Sequence, residues 1–268
     1  MQILGLLIFI SSFVHAQTAN NPTGSRSAAL GGSSVALSDV WASFNNPAQL
    51  AEIPGLSFGL NYENRFLIKE LGFNSITAVL PVHPGAFGIA VRQFGDQFYN
   101  ETFAGLAFGR NFGERFNAGI RLDAYHTRLA ENYGSRTTVS FASGFSAQIT
   151  SDLLFAAALF NPLRIKSAQD FDETLPSVYR AGLAYILDDN LLITLEAEKD
   201  SRYKPSIRSG VEYKINTIAA IRGGLATNPA LFSFGFGLFL GNFSLDISTV
   251  KHEVLGYSPN VAIIWQSK

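Results

Sequence analysis

The feature that most limits the fold of this chain is an alternation of apolar residues with polar or small residues. Between positions 116 and 124, the even residues are apolar, and the odd residues are polar or glycine. A period of two places the two classes of residue on opposite faces of a β-strand. Because this alternation recurs in segment after segment from about position 56 onward, we predict an all-β fold for this part of the chain.

Fourteen strands are predicted, with ends defined to about two to four residues. They span residues 56–63, 72–81, 85–95, 101–110, 114–129, 137–149, 152–161, 176–187, 190–199, 206–215, 217–226, 230–240, 242–250 and 258–267. Most are long enough for a tilted transmembrane strand, which needs about 9–11 residues, whereas strands of soluble domains average about five or six. Segment 153–160 is apolar at consecutive positions, so its pattern does not show which face points outward.

The predicted connections alternate between short turns and mostly longer loops, which is the pattern of an outer-membrane barrel. With an even number of strands, the first strand begins and the last strand ends at the same rim, which here is the short-turn rim. Because lipid cannot hydrogen-bond an open sheet edge, a membrane-spanning sheet must close on itself. We therefore predict a transmembrane antiparallel β-barrel of about 14 strands over residues 55–268, with apolar rows facing lipid and polar rows facing inward. The alternative is a secreted β-sandwich or solenoid, whose apolar rows would face each other across a core.

The composition excludes several other classes of protein. Only 15% of the residues are charged, against about 25% in an ordinary soluble domain. The 20 basic and 21 acidic residues nearly cancel, so we predict no nucleic-acid partner. The uncharged run 223–245 is interrupted by glycine and proline, which disfavours a transmembrane helix. The chain contains no cysteine, so disulfides cannot stabilise it.

The N-terminal 54 residues differ from the rest of the chain. Residues 1–16 have an apolar stretch followed by a small-residue cleavage site, which predicts a signal peptide; a membrane anchor is the alternative, although the stretch is short for a span. In segment 17–54, we expect Asp39 to cap a short helix beginning near Val40, and Asn46-Pro47 to end that helix. Gly31-Gly32 lacks the flanking elements of a phosphate-binding loop, so we expect close backbone packing there, with a flexible linker as the alternative.

Segment 17–54 also carries motifs that are found together in one family. These are Gly31, Gly32, Asp39, Trp41 and above all Asn46-Pro47-Ala48. In this respect the chain resembles the FadL-like outer-membrane proteins, and it is most similar to their PorV/PorQ group, which is associated with type IX secretion in Bacteroidetes. The resemblance implies a fourteen-stranded barrel in the bacterial outer membrane, with residues 17–54 folded into the lumen as a hatch. The chain is short for the family, which implies trimmed outer loops.

Several charged residues fall on the polar rows that we expect to face inward. They are Arg121, Asp123, Glu196, Glu198, Arg208, Glu212 and Lys214. They could line a polar conduit, or they could form a paired network that fills a narrow lumen; we expect the network, because unpaired buried charge is costly. Glu196 and Glu198 share one face and could form a general acid/base pair, but nearby arginines and lysines explain them equally well.

The sequence offers no further support for catalysis or metal binding. His83 and His252 are predicted on opposite rims, so they cannot share a metal ion, and His126 has no accompanying catalytic motif. We predict a protein without enzymatic activity, cofactor or metal.

Two hypotheses for its function follow from the resemblance. The first is an accessory or structural subunit of an outer-membrane, secretion-type complex, with outer-membrane lipids and other outer-membrane or periplasmic proteins as partners. The alternative is a FadL-like channel for small hydrophobic compounds, in which a small hydrophobic ligand is the partner. The trimmed loops and the charge-lined lumen favour the first.

Overall fold

The computed structural model describes residues 21–129, 134–163, 175–188 and 190–267. The predicted signal peptide, residues 17–20 and most of the predicted loop 162–175 lie outside the described residues. All fourteen predicted strands are present, and no predicted end differs from the observed one by more than two residues. They are β1 (Ser57–Asn64), β2 (Gly72–Val82), β3 (Gly85–Gly95), β4 (Tyr99–Phe112), β5 (Phe116–Leu129), β6 (Ser135–Gln148), β7 (Leu153–Phe160), β8 (Val178–Leu187), β9 (Leu191–Asp200), β10 (Ser206–Lys214), β11 (Ala219–Ala226), β12 (Leu231–Leu240), β13 (Phe243–His252) and β14 (Gly256–Gln266).

The strands form one closed antiparallel barrel. Each strand pairs with the next along the chain, and β14 pairs with β1, with Leu60 opposite Ile263 and Asn61 opposite Ala262. The predicted all-β barrel is therefore confirmed, and the β-sandwich alternative is wrong, because a single closed sheet leaves no second sheet to pack against. Among the described residues, the helices are too short and too polar to cross a membrane.

The outer face of the barrel is apolar. In β1, Phe58, Leu60 and Tyr62 are exposed, whereas Ser57 and the other intervening residues are buried. Large exposed apolar side chains recur in this way on every strand from β1 to β6 and from β8 to β14. Soluble monomers rarely expose such a continuous apolar belt, whereas a transmembrane barrel needs one against lipid.

The two rims of the barrel differ in the length of their connections. The short-turn rim has connections 83–84, 113–115, 149–152, 188–190, 215–218 and 241–242, and the long-loop rim has 65–71, 96–98, 130–134, 161–177, 201–205, 227–230 and 253–255. The predicted alternation is present in part, because connections 96–98, 227–230 and 253–255 are no longer than 149–152 and 215–218. Loops 96–98 and 253–255 are also shorter than expected. The reason is that β4, β13 and β14 continue their hydrogen-bonded ladders beyond the predicted ends.

Residues 21–54, which we call the hatch segment, lie inside the barrel. Helix α1 (Ser25–Ala29) packs against β11–β14, helix α2 (Ala42–Asn45) against β2–β4, and a 3₁₀ helix (Pro47–Glu52) against β3–β6. Helix α2 begins two residues after the predicted start. Asn46-Pro47 ends it as predicted, but the 3₁₀ helix follows at once, because proline suits a first helical position, where no amide donor is needed.

Candidate functional site

Among the described residues, three ionic clusters in the lumen connect the wall of the barrel to the hatch segment. The first joins Arg121 and Asp123 of β5, with 2.5 Å between Nε and Oδ1, and both side chains are buried. Arg121 also donates from Nη1 to the carbonyl oxygens of Ser43 at 2.9 Å and Phe44 at 2.5 Å. These carbonyls belong to α2. The last carbonyl groups of a helix receive no hydrogen bond from within that helix, so they need donors from elsewhere. The first cluster therefore anchors α2 to the wall.

The second cluster comprises Arg180 of β8, Glu196 and Glu198 of β9, and Arg208 of β10. Glu198 is held by both arginines, at 2.7 Å from Nε of Arg180 and 2.6 Å from Nη2 of Arg208. Glu196 Oε2 accepts hydrogen bonds from two successive hatch amides, Ser34 N at 2.7 Å and Val35 N at 2.8 Å. Successive amides pointing at one anion form a favourable site for negative charge, so a wall carboxylate fixes the middle of the hatch segment.

The third cluster comprises Arg26 of the hatch segment, Glu212 of β10, Arg222 of β11 and Asp246 of β13. Arg26 Nη2 lies 2.7 Å from Glu212 Oε1, and Arg222 lies 2.5 Å from Glu212 and 2.6 Å from Asp246. Arg26 also reaches Asp39 at 3.4 Å. Burial raises the pKa of the Asp39 carboxyl more than the neighbouring Arg26 lowers it. One hatch arginine therefore completes a wall cluster that otherwise holds two acids and one base.

The clusters contain all but one of the predicted lumen charges. Lys214 does not join them, because it lies exposed at the short-turn end of β10. The sequence analysis missed Arg180 and Arg222, although strand parity points both of them inward. Arg26 lies in a helix, so no strand pattern could have identified it. Glu196 and Glu198, the suggested acid/base pair, are both bound by arginines, and Glu196 is also bound by hatch amides. These contacts agree with a paired network of charges rather than with a reactive acid/base pair.

The three histidines within the described residues lie apart from these clusters. His126 is exposed on β5, where Nδ1 lies 2.9 Å from Thr137 Oγ1. The ring of His252 packs edge-on against Phe66 at the long-loop rim, 5.9 Å between ring centroids. His83 lies in a turn at the opposite rim. The three imidazoles therefore face three different environments.

Gly31 and Gly32 both adopt positive φ, of 70° and 80°. The Gly31 amide donates to Ser233 Oγ of β12 at 2.9 Å. A Cβ at Gly31 would lie 2.7 Å from the backbone nitrogen of Leu225 and 2.8 Å from the carbonyl oxygen of Ser209. The backbone thus packs directly on the wall at this point, as expected for close packing and not for a flexible linker.

The other hatch motif residues hold the segment together. Asp39 Oδ1 accepts from the amide of Trp41 at 3.0 Å, and the indole of Trp41 is fully buried. Asn46 donates from Nδ2 to the carbonyl of Val35 at 2.8 Å and accepts at Oδ1 from the amide of Ala48 at 3.1 Å. Asn46 therefore joins the two halves of the hatch segment and caps the 3₁₀ helix.

Gly144 of β6 provides a test of this contact. A Cβ there would overlap Asn46 Oδ1 and lie 3.0 Å from the amide of Ala48. We expect Gly144→Ala to destabilise the protein by about 1–3 kcal/mol, because overpacking displaces neighbouring groups. The matched control is Gly223→Ala on β11, where the nearest atom would be 3.9 Å away. Thermal unfolding of the two variants measures the difference, and equal midpoints would contradict the role of Asn46.

Part of the lumen is apolar, contrary to the expectation of polar inward rows. The inward side chains of β6–β8 in this region, together with two hatch residues, form what we call the apolar sector. It consists of Val35, Ala36, Ala142, Ala156, Ala158, Phe160, Val178 and Ala184. The inward face of β7, which the sequence left unassigned, lies at its centre. The interior of this barrel thus combines paired charges with an apolar surface.

Comparisons with known proteins were made for sequence and for structure. No protein-family model and no curated protein matches this sequence. Solved structures do match. The Ralstonia pickettii toluene transporter TbuX has a TM-score of 0.72 at 13% identity, and the P. putida toluene transporter TodX has 0.68 at 12%; each comparison covers 93% of this chain and 99% of the other. A Pseudomonas aeruginosa FadL homologue has 0.62 at 13%, covering 91% and 97%.

These similarities concern the fold, since the identities are low. The matched structures are of the FadL type, and the similarity to the PorV/PorQ group stays a prediction. The strand count, the closed topology and the coverage of nearly the whole chain agree with one another. The protein therefore has the fold of FadL-type outer-membrane β-barrels.

Proposed function

We propose that the protein is an outer-membrane channel for small hydrophobic compounds, and that the hatch segment closes it in the present conformation. The observation that carries this proposal is the apolar sector inside the lumen. Barrels that pass water and polar solutes have polar interiors. A wall of alanine, valine and phenylalanine instead favours contact with apolar solutes, at about 25 cal/mol per Å² of apolar surface removed from water.

The structural similarities support the same choice between the two hypotheses. Both TbuX and TodX are described as toluene transporters, and another similar barrel, CymD, is described as a monoaromatic hydrocarbon channel. They favour the channel over the accessory subunit that the sequence analysis placed first. We therefore propose small apolar compounds as the ligand class.

Narrowing the apolar sector is expected to reduce transport. Ala158 of β7 points inward and is buried in this sector, whereas the adjacent Ala157 points to the lipid side. We expect Ala158→Leu to lower the uptake of labelled toluene by cells that lack their own hydrophobic channels, because the larger side chain fills the path. Ala157→Leu is the control and should leave uptake unchanged. Equal uptake by the two variants would argue against the sector as a path.

The accessory-subunit hypothesis is the second candidate, and one observation favours it. Leu67, Phe98 and Val254 are exposed in loops at the long-loop rim, where a partner protein could cover them. Affinity purification of the native protein in mild detergent separates the two candidates. A stable heteromeric complex would support the subunit, whereas a lone barrel with a bound apolar molecule would support the channel.

A further inference from the structure

The inward rows of β14, β1 and β2 carry several neutral polar groups, beside the ion pair that Glu63 and Arg65 form at 2.8 Å at the long-loop end of β1. Asn61 of β1, Ser75 of β2 and Asn260 of β14 are buried on the inward rows. Within the described part of the chain, Asn61 Oδ1, Ser75 Oγ and Asn260 Oδ1 have no hydrogen-bond partner. Trp41 Nε1, which the hatch segment buries, has none either. Buried polar groups are nearly always paired with protein or with ordered water.

The register brings these groups to one place. Asn61 lies directly opposite Ser75, which puts their Cβ atoms about 4.5–5.5 Å apart. Asn260 pairs with Glu63, two residues further along β1, so it is a diagonal neighbour of Asn61, at about 7–8 Å. On these three strands, the inward polar groups therefore form one continuous patch.

The hatch segment covers this patch with Trp41 and α1. The far edge of the indole lies over Gly59 of β1, two residues before Asn61 on the same face, and the Nε1 edge lies against Gly24. The next residue, Ser25, donates to the carbonyl oxygen of Asn260 at 3.3 Å. We call the region between Trp41 and these three wall groups the seam compartment.

We infer that the seam compartment is a binding site for buried water. Its four unpartnered groups provide one donor in Trp41 Nε1, two amide acceptors, and a hydroxyl that can donate or accept. Arg92 lies opposite Ser75, and Glu63 lies opposite Asn260. A buried water molecule needs two to four such partners. Toward the short-turn rim the compartment ends at apolar side chains, Val40, Val79 and Ala262. The water site is therefore closed on that side and faces the long-loop half of the barrel.

This site gives the hatch two kinds of contact with the wall. Charged groups bind it on β3, β5, β9 and β10, and Arg92 of β3 donates to Thr23 Oγ1 at 3.2 Å. On β13 and β14 the direct side-chain contacts of Ser25 are neutral, with Ser25 Oγ 2.9 Å from Ser248 Oγ and 3.3 Å from the carbonyl oxygen of Asn260. Water in the seam compartment would complete the hydrogen bonding of this side, since water-mediated bonds are nearly as favourable as direct ones.

Radiolytic hydroxyl labelling of the full-length protein in lipid vesicles tests the inference. X-rays produce hydroxyl radicals from bound water, which oxidise adjacent side chains even where these have no exposure. Trp41 is 0% exposed, and Phe160, in the apolar sector, is 1% exposed. After correction for intrinsic reactivity, we expect Trp41 to be oxidised well above Phe160. Equal protection of the two side chains would overturn the inference.

The double variant Asn61→Leu/Ser75→Ala removes two of the wall groups. We expect the oxidation of Trp41 to fall in this variant once its folding is verified by gel mobility without boiling; an unchanged rate would show that these groups hold no water. If the double variant does not fold, Ser75→Ala alone serves, because it removes a single oxygen. If the compartment is dry, Ser75→Ala removes an unpaired buried hydroxyl, and its unfolding midpoint should exceed that of the unsubstituted protein by at least about 2 °C. That result would contradict the inference.

Discussion

Deletion of residues 28–50 is expected to turn the closed barrel into a leaky pore. These residues include most of the hatch segment and pack against the wall from β2 to β12. Their removal leaves an interior lined in part by paired charges, which water and small solutes can cross. We expect a clear rise in single-channel conductance in planar bilayers, and in the uptake of polar dyes by cells that express the variant.

The barrel itself should survive this deletion, because the wall clusters are balanced without residues 28–50. Arg121 pairs with Asp123, and the two arginines of the second cluster pair with Glu196 and Glu198. Only the third cluster needs a hatch charge, Arg26, and the deletion retains it. Since unpaired buried charge is what makes such a deletion costly, we expect the variant to fold.

A second variant separates the packing of the hatch from the mere presence of a chain in the lumen. Here residues 28–50 are replaced by a glycine–serine linker of the same length, which cannot reproduce the buried contacts. We expect this variant to leak as well. Unchanged conductance in a folded deletion variant would show that the lumen is blocked by something other than the hatch segment.

Arg121→Met is expected to lower the free energy of unfolding by about 3–5 kcal/mol, the largest decrease of any single substitution proposed for this chain. The change leaves the Asp123 carboxylate buried beside Tyr125 without its ion pair, and it removes the donor for the carbonyls of Ser43 and Phe44. Methionine matches the length of the arginine stem, so the loss is mainly electrostatic. Thermal unfolding in detergent, followed by circular dichroism, measures the change.

Two further variants test the cause of this loss. Arg202 forms an ion pair with Asp200 at 3.2 Å in a solvent-exposed connection, and Arg202→Met should cost less than about 1 kcal/mol. The double variant Arg121→Met/Asp123→Asn removes both charges and should recover part of the stability. If Arg121→Met were no more destabilising than Arg202→Met, the first cluster would not anchor the hatch segment.

The strands could be predicted closely because both environments of a barrel strand leave a mark on the sequence. In β5, apolar Ile120 and Leu122 face outward, while Arg121 and Asp123 face inward, so the period of two is visible without any knowledge of the neighbours. The pattern fails in β7, where Ala158 faces the lumen but is as apolar as its lipid-facing neighbour. In β7 both faces are apolar, so the sequence shows no alternation that would distinguish the lumen face from the lipid face.

The site was predictable only in part. Parity along the strands pointed Arg121, Glu196 and Glu212 inward, but it could not show which groups each of them meets. The partners of Glu196 are the backbone amides of Ser34 and Val35, and amides carry no sequence signal.

By itself, the sequence determined the number of strands, their order and the two faces of the barrel wall, because these depend on local period and on the cost of an open edge in lipid. Only the tertiary structure decided how the hatch segment fills the lumen. Closure brings residues from opposite ends of the chain together, so that Arg26 completes a cluster with Glu212, Arg222 and Asp246. Such pairing depends on barrel geometry and on helix position, which no local pattern of side chains records.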